Sequence, residues 1–115
     1  MTPSRSPVFA DGASEMGLEI TAAEAPDAEL ALRGELDLAS AGLLLEVART
    51  LRSGCNVRLD VSELHFADSS GIRAMLEVVD SIKPGTLVLV RPTRSVRRVL
   101  ELLGIDQGAG IVLKD

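Results

Sequence analysis

The feature that most constrains the fold of this chain is a repeated switch between two hydrophobic periods along the sequence. Apolar residues alternate with other residues over Leu18–Thr21, Leu30–Leu32 and Val57–Val61, which predicts strands. The run Leu87–Val90 is continuously apolar and predicts a strand covered on both faces. Ile111–Leu113 predicts a last strand.

Between these strands, apolar residues recur at helical spacing in three segments. Ser40 and Thr93 are the expected N-caps of the first and third helices, Ser53-Gly54 ends the first, and Pro84-Gly85 ends the second. The element order is β-β-α-β-α-β-α-β, which predicts a single-domain α/β fold with a mixed sheet flanked by helices. The helical residues expected to face the core are Leu44, Val47, Ala48, Leu51, Ile72, Met75, Leu76, Val79, Val96, Val99, Leu100 and Leu103.

Length and composition limit the possible partners. The 115 residues are enough for one domain with a core of its own, which we place at 16–115 after a disordered tail at 1–15 rich in Pro, Ser, Gly and Ala. With two Phe, no Tyr and no Trp, the chain lacks the aromatic rings that stack on single-stranded nucleic acid. Its net charge of −5 also repels a phosphate backbone, so no nucleic-acid partner is expected.

The sequence offers no pattern for a metal or cofactor. A single cysteine, Cys55, cannot form an internal disulfide or a cysteine-based zinc cluster.

No run approaches the ~20 apolar residues that span a bilayer, and the N-terminus lacks the apolar core of a signal peptide. We therefore expect a cytoplasmic protein without membrane insertion. Nothing in the sequence demands a homo-oligomer, so we expect a monomer when the protein is free.

The most informative segment is Asp68-Ser69-Ser70-Gly71, which lies between the end of a strand and the start of a helix. The first N–H groups of a helix lack intrahelical partners, and the helix dipole favours negative charge there, so a phosphate on Ser69 would be stabilised. Gly71 would let another backbone come close. The ordinary alternative is that Asp68 and Ser69 simply cap the helix.

A second carboxylate follows an earlier strand, in the segment Gly34-Glu35-Leu36-Asp37. If the two strands are neighbours, Asp37 and Ser69 lie on the same rim of the sheet. The alternative interpretation is a turn glycine followed by a capping aspartate.

Four arginines surround the start of the third predicted helix: Arg91, Arg94, Arg97 and Arg98. Three of them share one helical face. This face is either a solvated basic surface or a docking patch for an acidic partner.

His65 is the only histidine and lies four residues before Ser69. A serine hydrolase needs a base within reach of its nucleophile, and Ser69 lacks the Gly-x-Ser-x-Gly elbow of such enzymes. We expect His65 at the surface and do not expect an enzyme.

Three stretches together resemble the STAS domain family, and within it the stand-alone anti-sigma factor antagonists: LRGELDLASA (32–41), VRLDVSELHFADSSGIRAML (57–76) and LVLVRPTRSVRRVLELLGID (87–106). The resemblance covers roughly residues 16–113. It implies that Ser69 is the phosphoacceptor of a partner anti-sigma factor that is itself a serine kinase. It also implies that the unphosphorylated form binds this kinase and frees a sigma factor, and that a serine phosphatase resets the switch.

The resemblance matches Asp37 to a family aspartate near the phosphoacceptor. The expected docking surface is the rim around Ser69, although Ile72 and Met75 could instead belong to the core. Its expected residues are Asp37, Asp68, Ser70, Gly71, Ile72 and Met75.

The main alternative is a STAS regulatory subunit of another assembly, such as a lipid-transport ATPase complex or a stress-signalling scaffold. The sequence departs from the family in two ways. Family members usually continue with another helix after the last strand, whereas this sequence stops at Asp115. His65 and Ala67 also stand where bulkier apolar residues are common.

Overall fold

The structure is a computed structural model that describes residues 5–7, 17–23, 28–105 and 110–115. Within these ranges, six strands form one sheet in the order β1 to β6, and three helices accompany it. The elements are β1 Arg5–Pro7, β2 Leu18–Ala23, β3 Ala28–Leu36, α1 Ala41–Ala48, β4 Val57–Ala67, α2 Ser69–Ile82, β5 Leu87–Val90, α3 Arg94–Leu102 and β6 Ile111–Lys114.

The sheet is mixed, as the sequence predicts. β1, β2 and β3 pair antiparallel, whereas β3, β4, β5 and β6 pair parallel. From β2 onward the elements follow the predicted order β-β-α-β-α-β-α-β. Because β3 and β4 are parallel neighbours, their carboxyl ends lie side by side, with Leu36 opposite Ala67.

The helices bury one face of the sheet. α2 contacts β3, β4, β5 and α3, and α1 packs against α2. On β5, Leu87 and Leu89 are fully buried beneath the helices, whereas Val88 and Val90 are only partly buried. The expectation that β5 is covered on both faces is therefore wrong, because the described helices lie on one side of it.

β4 is longer than the alternating pattern predicts. Two register shifts against β3 each insert an extra residue in β4, so that Val61, Leu64 and Ala67 are buried at intervals of three. Such bulges bend a strand and change which residues point to each face. They leave His65 exposed, as expected, and carry the strand on to Ala67 at the rim.

Three local expectations need correction. α1 ends at Ala48 rather than at Ser53-Gly54, because the chain turns there through hydrogen bonds from Thr50 to the Val47 carbonyl oxygen. The core position expected for Leu103 is wrong, since α3 ends at Leu102 and leaves Leu103 45% exposed.

Arg5–Pro7 lies in the expected disordered tail, yet it forms β1 by backbone pairing with β2. The rest of that tail lies outside the described residues.

No helix among the described residues is both long and apolar enough to cross a lipid bilayer.

Candidate functional site

The predicted site residues meet at the rim where β3 and β4 end. Asp37 follows β3 directly, and Asp68 follows β4 directly. The Asp68 backbone N–H donates to the carbonyl oxygen of Leu36 at 3.1 Å, which ties the second segment to the end of the first strand. The prediction that Asp37 and Ser69 share one rim is confirmed. We call the segment Asp37–Ala41 the first junction and Ala67–Gly71 the second junction.

At the first junction, the Asp37 carboxylate organises the turn. Its Oδ1 accepts hydrogen bonds from the backbone N–H groups of Ala39 and Ser40, both at 3.1 Å. The Ser40 hydroxyl is fully buried, accepts from the Asp37 N–H at 3.0 Å and donates to the Glu35 carbonyl oxygen at 2.9 Å. Ser40 therefore stands at the start of α1 without capping it through its side chain. The predicted N-cap position is confirmed, but the Ser40 hydroxyl bonds to the turn and not to the first N–H groups of α1.

At the second junction, Asp68 is the helix cap. Its Oδ1 accepts from the Gly71 N–H at 3.0 Å, which is the usual N-cap geometry. Ser69 is the first residue of α2 and is exposed, and its hydroxyl makes no hydrogen bond within the described part of the chain. The capping interpretation thus applies to Asp68 and leaves Ser69 available for chemistry. It also means that a carboxylate already occupies part of the expected anion site.

Gly71 allows α2 to approach the sheet closely. A Cβ at this position would overlap the Leu36 carbonyl oxygen and lie 2.7 Å from the Leu36 Cγ. Gly71, Ile72 and Met75 are all buried. The expectation that these three residues lie on the docking surface is wrong, because the inward face of α2 carries them into the core.

The glycine of the Gly34-Glu35-Leu36-Asp37 segment has a separate structural task. Gly34 adopts a φ of +105°, and a Cβ there would collide with the Gly17 carbonyl oxygen. The neighbouring Glu35 N–H donates to that same oxygen at 2.8 Å. Gly34 therefore lets the chain just before β2 approach β3 closely, and Asp37 is the residue of this segment that follows the strand at the rim.

A groove of about 400 Å³ runs between α1 and α2 from the rim. Leu38, the residue after Asp37, is 78% exposed at its end, and Ala41 and Leu45 form one wall. Ser70 and Arg73 form part of the other wall. Leu38 was not among the site residues predicted from the sequence. The signal that could have identified it is a large apolar residue in the turn between the end of a strand and the start of a helix.

A smaller hollow of about 200 Å³ lies on the other side of α2. Ser69 and Arg73 line it together with Leu76 and Leu103. Arg73 therefore borders both depressions beside the second junction. It too is absent from the predicted residues, although its position four residues after Ser69 places it on the same helical face.

The predicted basic run is partly neutralised within the chain. Arg91 forms an ion pair with Asp60, and Arg97 forms one with Asp115. Burial raises the pKa of Asp60, but hydrogen bonds from Ser62 and Arg91 outweigh it and hold this pKa below its usual value of 3.8. A basic docking patch would therefore depend mainly on Arg94 and Arg98, which are exposed and form no ion pair among the described residues.

Comparison with known proteins identifies the domain that carries this rim. Residues 20–114 match a family model described as "Mlab, STAS domain". The chain belongs to the STAS domain family. No curated protein matches this chain significantly in sequence.

Solved structures share the STAS fold of this chain at low sequence identity. A candidate anti-sigma factor antagonist from Thermotoga maritima is 22% identical, with a TM-score of 0.67 over 82% of this chain and 84% of that one. The anti-sigma factor antagonist SpoIIAA in its unphosphorylated form is 19% identical, with a TM-score of 0.59 over 84% and 87%. The Bacillus cell fate determinant SpoIIAA in the phosphorylated form is also 19% identical, with a TM-score of 0.58 over 84% and 91%.

The rim of this STAS domain carries no nucleophile–base pair in the residues that the structure describes. The Ser69 hydroxyl has no hydrogen-bond partner there, and the exposed His65 on β4 forms no hydrogen bond with Ser69 within the described ranges. The described residues also contain no group of three His, Cys, Asp or Glu side chains that could hold a metal ion.

Proposed function

We propose that this STAS domain is an anti-sigma factor antagonist, and not an enzyme, that works in the bacterial cytoplasm. In its unphosphorylated form it binds an anti-sigma factor serine kinase, which then releases a sigma factor. The kinase transfers the γ-phosphoryl group of ATP to Ser69 Oγ, with loss of the hydroxyl proton and release of ADP. The phosphorylated form dissociates, and a serine phosphatase hydrolyses the phosphoserine to restore binding.

The observation that carries this proposal is the position of Ser69. It is an exposed hydroxyl at the first residue of α2, free of hydrogen bonds within the described residues, on the rim where two parallel strands end. The neighbouring Asp68 supplies the helix cap, so the fold does not need the Ser69 side chain. A kinase can therefore modify this hydroxyl without breaking a structural contact.

The corrected geometry supports a docking surface on the rim. It comprises Asp37, Asp68 and Ser70 on the rim, joined by the exposed Leu38 and by the groove between α1 and α2. Covering a large exposed apolar side chain removes apolar surface from water, which favours binding. Leu38 is therefore the apolar anchor of the proposed surface, and Ser69 lies beside it as the switch.

Phosphorylation acts on this surface and not on the fold. A phosphate adds about −1.5 to −2 charges at pH 7, and negative charge at a helix N-terminus does not unfold the helix. Within an interface, the same charge is desolvated and repelled by Asp68.

The test is an affinity purification of partners from the source cell with three variants. Ser69→Ala should retain a kinase-type, ATP-binding partner, and Ser69→Glu should bind it about 100-fold more weakly, which corresponds to ~2.7 kcal/mol. Ser95→Glu is the matched control, because Ser95 is an exposed serine near the start of α3 and carries the same charge change. Intact-mass analysis of the wild-type protein should reveal one phosphoryl group on Ser69.

The alternative is a STAS regulatory subunit of another assembly, such as a lipid-transport ATPase complex or a stress-signalling scaffold. The matching family model is described by the name Mlab and the domain type, so the match itself leaves this alternative open. Purification of a transport ATPase without any phosphoryl group on Ser69 would favour it. Equal partner affinity of Ser69→Ala and Ser69→Glu would contradict the proposed switch.

A further inference from the structure

We propose that Arg73 binds the phosphate of phosphorylated Ser69 within the same chain. This inference rests on the proposed modification of Ser69 and names the group that would receive the phosphate. It concerns two residues of this chain whose side chains border the same hollow beside α2.

The helix brings the two side chains together. Ser69 and Arg73 are four residues apart in α2, so they are neighbours on one face with Cβ atoms about 6 Å apart. Helical side chains lean toward the N-terminus, which directs the long Arg73 side chain back over Ser69. Both residues are exposed, so a phosphate on Ser69 can be reached by the guanidinium without moving the backbone.

The charge distribution at the second junction calls for a cation. The Asp68 carboxylate lies next to Ser69 and takes the Gly71 N–H, so this helix N–H is not available to a phosphate. Asp37 adds a second carboxylate to the same rim. A phosphate of about two negative charges therefore enters an acidic neighbourhood, and Arg73 is the basic side chain that shares the hollow with Ser69.

Arg73 is available for this contact. Within the described residues it forms no ion pair and no side-chain hydrogen bond, unlike Arg91 and Arg97. Glu77 lies one turn further along α2 and borders the same groove as Arg73, yet the two side chains are not paired. A guanidinium can bind phosphate oxygens through two parallel N–H bonds, which favours the phosphate over a single carboxylate.

The test places phosphoserine at position 69 during synthesis, so that no kinase is required. Phosphorus NMR then follows the second ionisation of the phosphate with pH in the full-length protein. A nearby guanidinium favours the dianion, so Arg73→Gln should raise the phosphate pKa by about 0.2 to 0.7 unit, the range expected for an exposed ion pair. Arg73→Lys should give a smaller rise, because it keeps the charge.

Lys83→Gln is the matched control. Lys83 is an exposed cation at the other end of α2, about 20 Å along the helix from Ser69, and its removal should leave the phosphate pKa unchanged. An equal pKa in the wild type and Arg73→Gln would overturn the inference. Equal shifts for Arg73→Gln and Lys83→Gln would also overturn it. Because the phosphate is introduced synthetically, these outcomes are independent of whether a kinase partner exists.

Discussion

The two strand-to-helix junctions at the rim share one hydrogen-bonding arrangement but place different residues in its buried and exposed positions. In each, an aspartate follows the strand and its Oδ1 accepts from the N–H three residues later, which belongs to Ser40 in the first junction and Gly71 in the second. The residue three positions after each aspartate is buried. The residue directly after each aspartate is exposed, and it is Leu38 in one junction and Ser69 in the other.

The difference shows that position within the turn decides what a serine can do. Ser40 occupies the buried position, and its hydroxyl bonds to the backbone of Glu35 and Asp37. Ser69 occupies the exposed position, and its hydroxyl has no partner among the described residues. The first junction therefore buries its serine, Ser40, in the turn and exposes Leu38. The second junction buries Gly71 against the sheet and exposes Ser69.

The largest effect is expected where the second junction packs against the end of β3. Gly71→Ala should destabilise the protein by about 1–3 kcal/mol, because the new Cβ must displace Leu36 or shift α2. This cost exceeds the gain of up to ~1 kcal/mol that alanine brings to a helix. Chemical denaturation measures the change in the free energy of unfolding.

Gly42→Ala is the control for that experiment. Gly42 lies in α1 and is exposed, and a Cβ added to it would meet no atom within 4 Å. This substitution should stabilise the protein by up to ~1 kcal/mol. The same sign of change at both glycines would contradict the close packing of the second junction.

The next effect compares the two serines. Ser40→Ala should cost about 1–2 kcal/mol, because the partly buried N–H of Asp37 and the carbonyl oxygen of Glu35 lose their partner. Ser69→Ala should change stability by less than about 0.5 kcal/mol, as for an exposed surface residue. Thermal and urea unfolding of the two variants measure this, and similar losses would break the comparison between the junctions.

The aspartate hydrogen bond that the two junctions share can be tested at Asp68, the cap of α2. Asp68→Ala should cost about 1 kcal/mol, because the Gly71 N–H loses its acceptor. Asp68→Asn should lose little of this, since an asparagine oxygen accepts the same bond. The unfolding free energies of the two variants separate the hydrogen bond from the charge, and equal losses would assign the effect to charge.

Much of this fold could be predicted from local patterns. The pattern of apolar residues predicted every strand from β2 to β6 and the three helices in their observed order. The same helical period put Ile72 and Met75 among the inward residues of α2, where the structure has them fully buried. Including these two residues in a docking surface conflicted with that pattern, and the packing resolves the conflict in favour of the core.

Other features depend on contacts that the sequence does not display. Buried residues at Val61, Leu64 and Ala67 follow a spacing of three that arises from the register of β4 against β3. β1 exists through its pairing with β2, which lies more than ten residues away in the chain. The role of Ser40 could not be predicted because helix cap and turn compete for the same hydroxyl, and only the burial of that hydroxyl decides between them.

The smallest effect concerns a third aspartate with a related turn, away from the rim. Asp60 Oδ1 accepts from the Ser62 N–H at 2.9 Å, as Asp37 Oδ1 accepts from the N–H two residues later, but Asp60 also pairs with Arg91. Hydrogen bonds from Ser62 and Arg91 lower its pKa below 3.8 despite burial. A carboxyl group with a lowered folded-state pKa contributes stability above its unfolded pKa and loses it as the pH falls through the folded value.

Asp60→Asn keeps the turn and removes the charge, so it should cost less than about 1 kcal/mol at pH 7, because Arg91 is largely exposed. Urea unfolding of both proteins from pH 7 to pH 3 should give a constant difference above about pH 5 that shrinks below pH 4. A difference that persists unchanged at pH 3 would contradict this prediction, because a protonated Asp60 no longer carries the charge that the variant removes.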